Sequence, residues 1–489
     1  MQKVNTLLIG VGYHARRIYI PYLKDGKYCN LAACWDLASQ RERVEDFLKK
    51  AEIAAPCYYA EKDSLSDSLE KEDQERLRKV VKKHNIKAVI ISTEPLAHFK
   101  YAQWAIDNNL HVLLDKPIST EVDVSTNVNK ARKLFKDYMK LAELYILRNT
   151  KKDLVFSIQA QRRFHIGFQT AIDKIIEIAK LSDCPVTFIQ ALHSDGQWTF
   201  PGEFIAQTYH PYNQGYGKMS HSGFHSLDIS IWLIEASLRV DKKWDNFKLE
   251  TTFVRPSDVL AQFSKKDYLE LFPDMKWEKD MKKKIKKVTG EVDAFTHISF
   301  LKGKDIITSV NCSSLHNSFS RRGWLSSAGR DLYKGNGRVR QESYVIEQGP
   351  FQSIIINSFQ SEEIQKGSPR PYEVGGEYHF DIHIFRNKSI FPELQSYEYV
   401  NLESLSPVDD LGYSRGHQED ARRKCIEDFY ASVIRKRLPE KQGSNILYYG
   451  LTAQILSSIY ISAAKQYNGE NGMVAGKIKS RFNNKSYVQ

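Results

Sequence analysis

Lys116 ends the run His111-Val112-Leu113-Leu114-Asp115-Lys116-Pro117, an apolar stretch closed by an acid, a lysine and a proline. At the carboxyl end of a parallel strand, a lysine with a lowered pKa is a competent acid/base for a hydroxyl. The plain alternative is a loop lysine before a turn proline. His221 and His225 stand four residues apart in Gly215 to Leu233 (GYGKMSHSGFHSLDISIWL). On a helix that spacing suits metal ligands. No third ligand and no HExxH pattern accompanies it, so no metal is expected. A hydrogen-bonded core histidine is the other reading of His225. Arg163, in Gln161-Arg162-Arg163-Phe164, suits either an anionic or polyol substrate or a helix cap.

A second constellation lies at the N-terminus. Leu7 to Ala15 reads LLIGVGYHA, an apolar strand followed by Gly10, Gly12 and Ala15. In such a loop the first glycine permits a tight turn and the second lets the backbone approach a pyrophosphate. The alanine packs closely, and the helix N-terminus attracts the anion. Tyr13 and His14 belong to the same loop. Asp36 closes the next apolar run and suits the ribose hydroxyls. A solvated loop and strand end is the bland alternative. Thr93-Glu94-Pro95-Leu96-Ala97-His98 closes another strand, which places Thr93, Pro95 and His98, with Asp115 and Lys116, where open α/β sheets hold ligands. The expected cofactor is NAD. NADP is possible, because Arg41 stands near Asp36 in the sequence.

The elements positioning these residues alternate. Leu7–Gly10, Leu31–Trp35, Lys87–Thr93, Leu110–Leu114 and Leu154–Ile158 read as strands apolar on both faces. Between them Gln40–Lys50, Asp73–His84, Ala97–Asn108 and Val128–Leu147 read as helices. The alternation predicts a doubly wound parallel sheet, a dinucleotide-binding domain over residues 1–160. Pro21 should end or kink its first helix. Short alternating runs at Pro185–Leu192, Thr296–Phe300, Ile306–Val310 and Tyr378–Ile384 predict an open, largely antiparallel sheet in an α+β domain over 161–415. A charged, aromatic-rich segment at 241–290 reads as an insertion. Residues 416–489 read as C-terminal helices and a tail frayed from Asn468.

The chain of 489 residues carries a formal charge of +12, with 42% hydrophobic and 27% charged residues, a globular balance. The densest basic block, Lys279–Lys287 (KDMKKKIKK), reads as a solvated helix or loop. No basic stripe interleaved with aromatics suggests nucleic acid. No uninterrupted apolar run approaches the roughly 20 residues of a membrane span. The six cysteines form no CxxC pair. With no secretory pattern at the N-terminus, the expectation is a cytoplasmic free-thiol protein.

Taken in order, these motifs resemble the Gfo/Idh/MocA oxidoreductases. The resemblance lies in GVGYHA with Pro21-Tyr22-Leu23, in TEPLAH, in HVLLDKP and in GYGKMSHSGFHSLDISIWL, with Arg163-Phe164 between them. It covers residues 7 to about 235. It implies a Rossmann domain followed by an α/β domain whose open sheet serves homo-oligomerisation, as dimer or tetramer. It further implies hydride transfer between nicotinamide and a sugar, nucleotide sugar or cyclitol, with Lys116 and His225 handling the proton. Two other functions occur on similar folds, an NAD-dependent glycosidase using transient oxidation and a non-catalytic dinucleotide-sensing regulator. One position departs: His221 stands where the family pattern has an aspartate. A histidine there should face the substrate beside His225, so that the two titrate as a coupled pair and activity falls below about pH 6.

Overall fold

The computed structural model describes residues 3–61, 67–149, 153–208, 211–239, 242–323, 325, 337–361, 379–405, 418–435 and 443–479. Its first sheet has six parallel strands, β1 (Val4–Ile9), β2 (Cys29–Leu37), β3 (Cys57–Ala60), β4 (Ala88–Ile91), β5 (His111–Asp115) and β6 (Phe156–Gln159), in the order β3-β2-β1-β4-β5-β6. Alternate residues of the central strands serve opposite layers. Leu7, Ile9, Val89, Ile91, Val112 and Leu114 join one core, with helices His98–Asp107 and Val128–Asn149. Leu8, Cys34, Ile90 and Leu113 join the other. Burial of both faces is why these strands read as unbroken apolar runs.

The second sheet holds β7 (Phe188–Ser194), β8 (Asn246–Val254), β9 (Asp293–Lys302), β10 (Asp305–Leu315), β11 (Val339–Gln348), β12 (Gln352–Ser361), β13 (His379–Arg386), β14 (Tyr397–Asn401) and β15 (Val474–Lys477). Their order is β14-β13-β12-β11-β7-β10-β9-β8-β15. Only β7 and β10 pair in parallel. Helices Ile166–Ser182, Gly223–Ala236 and Gly450–Tyr467 cover one face, so these strands alternate buried and open residues. A Rossmann sheet thus packs beside an open, largely antiparallel one, the expected fold class.

Several local expectations are corrected. Pro21 does not end its helix, which runs Tyr13–Asp25; the proline lies on the exposed side, where the carbonyl it leaves unbonded can meet water. β3 is missed by the sequence reading, since CYYA is too short to show a period. The supposed insertion at 241–290 contributes β8, an integral strand with Phe247, Leu249 and Phe253 in the core. Within the basic block, Met281 and Ile285 of the short helix Met281–Ile285 are buried, while its lysines face outward.

The tail is not frayed throughout, because β15 pairs antiparallel with β8. The domain boundary at 415–416 lies outside the described residues, as do residues 480–489. The segment Ile446–Tyr467 is long and apolar enough to cross a membrane by length and composition, where the sequence reading finds no such stretch. However, 83% of that window is buried inside the protein, against helix Val128–Asn149 and β8.

The C-terminal helices tie the two sheets together. Ile426, Phe429 and Tyr430 of helix Gln418–Arg435 complete the second Rossmann core. The Tyr430 hydroxyl lies 2.8 Å from Thr6 Oγ1. Ser444 accepts the Ile158 amide at 2.7 Å, extending the edge of β6.

Candidate active site

A cavity of about 840 Å³ opens along the carboxyl ends of β1, β2, β4 and β5 and runs to the second sheet. Gly10 turns with φ +87°, and a Cβ there would lie 2.5 Å from the Ser92 carbonyl. The need for glycine is therefore both conformational and steric. A Cβ on Gly12 would meet nothing within 4 Å, so this residue leaves open space at the wall. It is also the N-cap of helix Tyr13–Asp25, which has no side-chain cap and no acid in its first turn. Unmet amides and the helix dipole at a bare wall fit a pyrophosphate.

Asp36 accepts the Val11 amide and the Leu37 amide, each at 2.7 Å, one on each oxygen. It therefore braces the glycine loop while lining the cavity, and each oxygen keeps a lone pair for a ribose hydroxyl. Arg41 does not line the cavity; its guanidinium stacks at 4.5 Å on Tyr59, the cross-strand partner of Asp36. Arg16 and Arg43 line the cavity instead. Arg16 is engaged with the Val11 and Arg43 carbonyls, at 2.8 and 3.1 Å.

We expect NAD to bind more tightly than NADP. A 2′-phosphate about 4 Å from a carboxylate is opposed by roughly 4 kcal/mol per unit-charge pair at an effective dielectric near 20, before screening. Even about a quarter of that gives roughly fivefold discrimination. Titration of both dinucleotides checks this, and equal affinity would show that Arg43 offsets Asp36.

Tyr13, His14, Thr93, Pro95, Asp115 and Lys116 line the same cavity. Ala15 lies beneath it in the core. His98 does not reach it. Its Nδ1 lies 2.6 Å from the Pro117 carbonyl and its Nε2 3.0 Å from that of Thr93, so it ties the loops after β4 and β5 together. Asp115 is held by the Tyr19 hydroxyl and by Ser92 Oγ at 2.7 Å.

Lys116 Nζ donates to the His221 carbonyl at 2.6 Å. Burial lowers its pKa to about 8; Asp115 and Asp195 pull it up, Arg162 and Arg422 push it down. His225 lines the cavity, with Nε2 3.4 Å from Gln161 Nε2. Burial first, then Arg162 and Lys116, holds its pKa well below the usual histidine range, so it is neutral near pH 7.

Two expected substrate residues are placed elsewhere. The His221 ring does not line the cavity. It packs against Tyr216 and His316, with ring centroids 5.5 and 6.1 Å away. His221 reaches the site only through its backbone carbonyl. The expected coupling of His221 with His225 gives way to interaction of His225 with Arg162 and Lys116. Arg163 is fully buried in a bidentate pair with Asp228, at 2.9 and 2.6 Å, and stacks on Tyr449 at 3.9 Å. It serves packing. Its neighbour Arg162 lines the cavity. Among the described residues no cluster suited to a metal occurs.

The sequence reading misses Gln159, Arg162, His193, Arg340 and Arg422 as wall residues. They come from β6 and the turn after it, β7, β11 and helix Gln418–Arg435, and no shared motif announces them. Behind them Lys218 Nζ lies 2.8 Å from His193 Nδ1 and 2.7 Å from Asp195. Burial lowers the Lys218 pKa to about 8, against the pull of Asp195.

Residues 4–139 match the model of the oxidoreductase family with an NAD-binding Rossmann fold, Gfo/Idh/MocA. No curated protein matches the chain by sequence. Solved structures do match it in fold. Levoglucosan dehydrogenase in complex with NADH aligns with a TM-score of 0.57 at 13% identity, covering 98% of this chain and 99% of that one. Aldose-aldose oxidoreductase from Caulobacter crescentus, complexed with glycerol, gives 0.56 at 14%, covering 97% and 100%. Myo-inositol 2-dehydrogenase from Lactobacillus plantarum gives 0.54 at 12%, covering 98% and 100%. At these identities the likeness is one of fold across both sheets. The glycine loop, the bare helix N-terminus and the matched residues agree: residues 4–139 form a Rossmann domain similar to the NAD-binding domain of the Gfo/Idh/MocA oxidoreductase family.

Proposed function

We propose that this protein transfers hydride between a nicotinamide dinucleotide and a CH–OH or keto group of a sugar, nucleotide sugar or cyclitol. One juxtaposition carries the reading: the glycine loop, Lys116 and His225 line a single cavity. Bound nicotinamide supplies the hydride acceptor or donor. Gly10, Gly12 and Asp36 would hold the dinucleotide, and the loops after β4 and β5 line the same cavity. Lys116 takes the hydroxyl proton at Nζ, and its bond to the His221 carbonyl fixes that atom in place. Neutral His225 offers a buried Nδ1 with no partner among the described residues, fit to hold a substrate hydroxyl.

The test is NADH absorbance during incubation with NAD and a panel of sugars, cyclitols and nucleotide sugars. Substrate-dependent net accumulation of NADH is the expected result. Hydrolysis of a glycoside without accumulation would favour the transient-oxidation glycosidase. Dinucleotide binding with no turnover would favour a sensing regulator.

Self-association belongs to the same proposal. The outer face of the second sheet exposes Phe359, Phe385, Tyr397 and Tyr399, and clustered exposed aromatics mark interaction surfaces. Light scattering should give a mass of twice or four times 56.5 kDa. A monomer at micromolar concentration would refute this.

A further inference from the structure

We propose that the substrate is anionic, a polyol bearing a carboxylate or a phosphate, bound in the half of the cavity beyond Lys116. The proposal rests on the oxidoreductase reading and narrows its substrate. The chemistry of that wall favours an anion. Lys116, Arg162, Arg340 and Arg422 all line it, with His193 and His225 between them. Two acids of the lining, Asp115 and Glu94, lie near Lys116, and burial raises the Glu94 pKa to about 7.

The nearby buried carboxylates lie outside the lining but pair with its cations, Glu342 with Arg162 and Asp195 with Arg340 at 3.5 Å. Glu342 accepts Arg162 through Nε at 3.0 Å and through Nη2, and Gln418 at 3.2 Å. Asp195 is gripped by Lys218 at 2.7 Å, by Ser222 and by Arg338. Neither Asp195 nor Glu342 faces the cavity.

Lysine and arginine carry donors and no acceptor. A sugar hydroxyl both donates and accepts, which suits Gln159, Gln161, Ser220, Ser222 and Gln418 of the same wall, whereas the cations match it at only half its capacity. A carboxylate or phosphate accepts on every oxygen and makes charge-assisted bonds to such donors. Arg422 is placed for that role. Its Nη1 bonds Glu419, while its buried Nε has no partner among the described residues. His193 is held within this network: the Lys218 ammonium donates to its Nδ1, and its Nε2 lies 3.4 Å from Arg162 Nη2 and 3.6 Å from the Glu342 carboxylate. Burial, with the charge of Lys218, keeps that ring neutral.

The test uses the full chain saturated with NAD. D-gluconate and D-glucose 6-phosphate serve as anionic probes, D-glucose and myo-inositol as neutral ones. Binding is read by calorimetry and turnover by NADH absorbance. At least one anionic probe should bind, and be oxidised with a kcat/KM at least about tenfold above the neutral probes, the lower end expected of one hydrogen bond to a charged group. Gluconate alone identifies a carboxylate site, and glucose 6-phosphate alone a phosphate site. Arg422→Gln should raise KM for the favoured anion by about tenfold to a hundredfold, with NAD affinity unchanged. Arg162→Lys, which keeps a cation opposite Glu342, should raise KM in the same direction should Arg422→Gln fail to fold.

Neutral probes bound and oxidised as well as the anions would overturn the proposal and leave the oxidoreductase reading standing. Anion binding without any NADH would uphold the site and sink that reading. Failure of both anions to bind would overturn the proposal outright.

Discussion

Lys116→Ala is expected to lower turnover by at least about 10², the lower end of the range for one positioned acid/base, while NAD still binds. The two effects separate because Gly10, Gly12 and Asp36, the proposed dinucleotide site, are untouched by the change. Lys116→Arg should fail nearly as badly, since a guanidinium does not give up its proton. The lysine is suited to the task because burial brings its pKa to about 8.

The sign of the pH dependence follows. In alcohol oxidation the neutral amine is the active form. Turnover should therefore rise about tenfold per pH unit up to about 8 and then level off, while ketone reduction shows the opposite slope. No inflection near pH 6 is expected, because His225 is neutral throughout that range and the His221 ring lies off the cavity. Stopped-flow turnover from pH 5 to 9 in both directions checks the slopes. Turnover of Lys116→Ala within tenfold of wild type would eliminate the mechanism. Loss of NAD binding in that variant would make the lysine a cofactor ligand.

The second large effect concerns stability. Arg163→Met should destabilise the protein by about 3–5 kcal/mol, because it leaves the Asp228 carboxylate buried and uncompensated. Arg163 and Asp228 are each about 1% exposed. Thr452 also donates to Asp228, at 2.8 Å, which ties helix Gly450–Tyr467 to the pair. The midpoint of thermal unfolding should fall by roughly 3–5 °C. Arg163→Met combined with Asp228→Leu should recover much of the loss, since apolar replacement of a whole buried pair is often close to neutral. Calorimetry of the two single variants and the double variant closes the cycle. A stable Arg163→Met protein with a raised KM would restore Arg163 to the substrate site.

The elements most legible in the sequence are those whose pattern is local. Unbroken apolar runs announce β1, β4 and β5 because both faces of each strand are buried. Gly10 and Gly12 announce the loop because only glycine fits the φ of +87° at one and leaves the wall bare at the other. Asp36, Asp115 and Lys116 follow from their places at strand ends. β3 and β15, four residues each, are too short to show a period. β8 is hidden because its charged outer residues, Lys248 and Glu250, resemble the solvated segment that follows it.

By itself, then, the sequence determined the dinucleotide-binding half, the alternation of its strands and helices, and the lysine at the end of β5. Each of those depends on residues near one another in the chain. Only the tertiary structure decided which neighbour of a pair faces the cavity. Arg162 faces it while Arg163 turns to Asp228, because successive side chains of the short helical turn Gln161–Phe164 point in different directions. At residue 221 the side chain turns to Tyr216 and His316 and leaves its carbonyl to Lys116. The basic wall of Arg162, His193, Arg340 and Arg422 is drawn from segments as much as 260 residues apart in the sequence. Charges so distant in the chain meet only when two sheets and a C-terminal helix pack around one cavity, and that packing is a property of the whole fold.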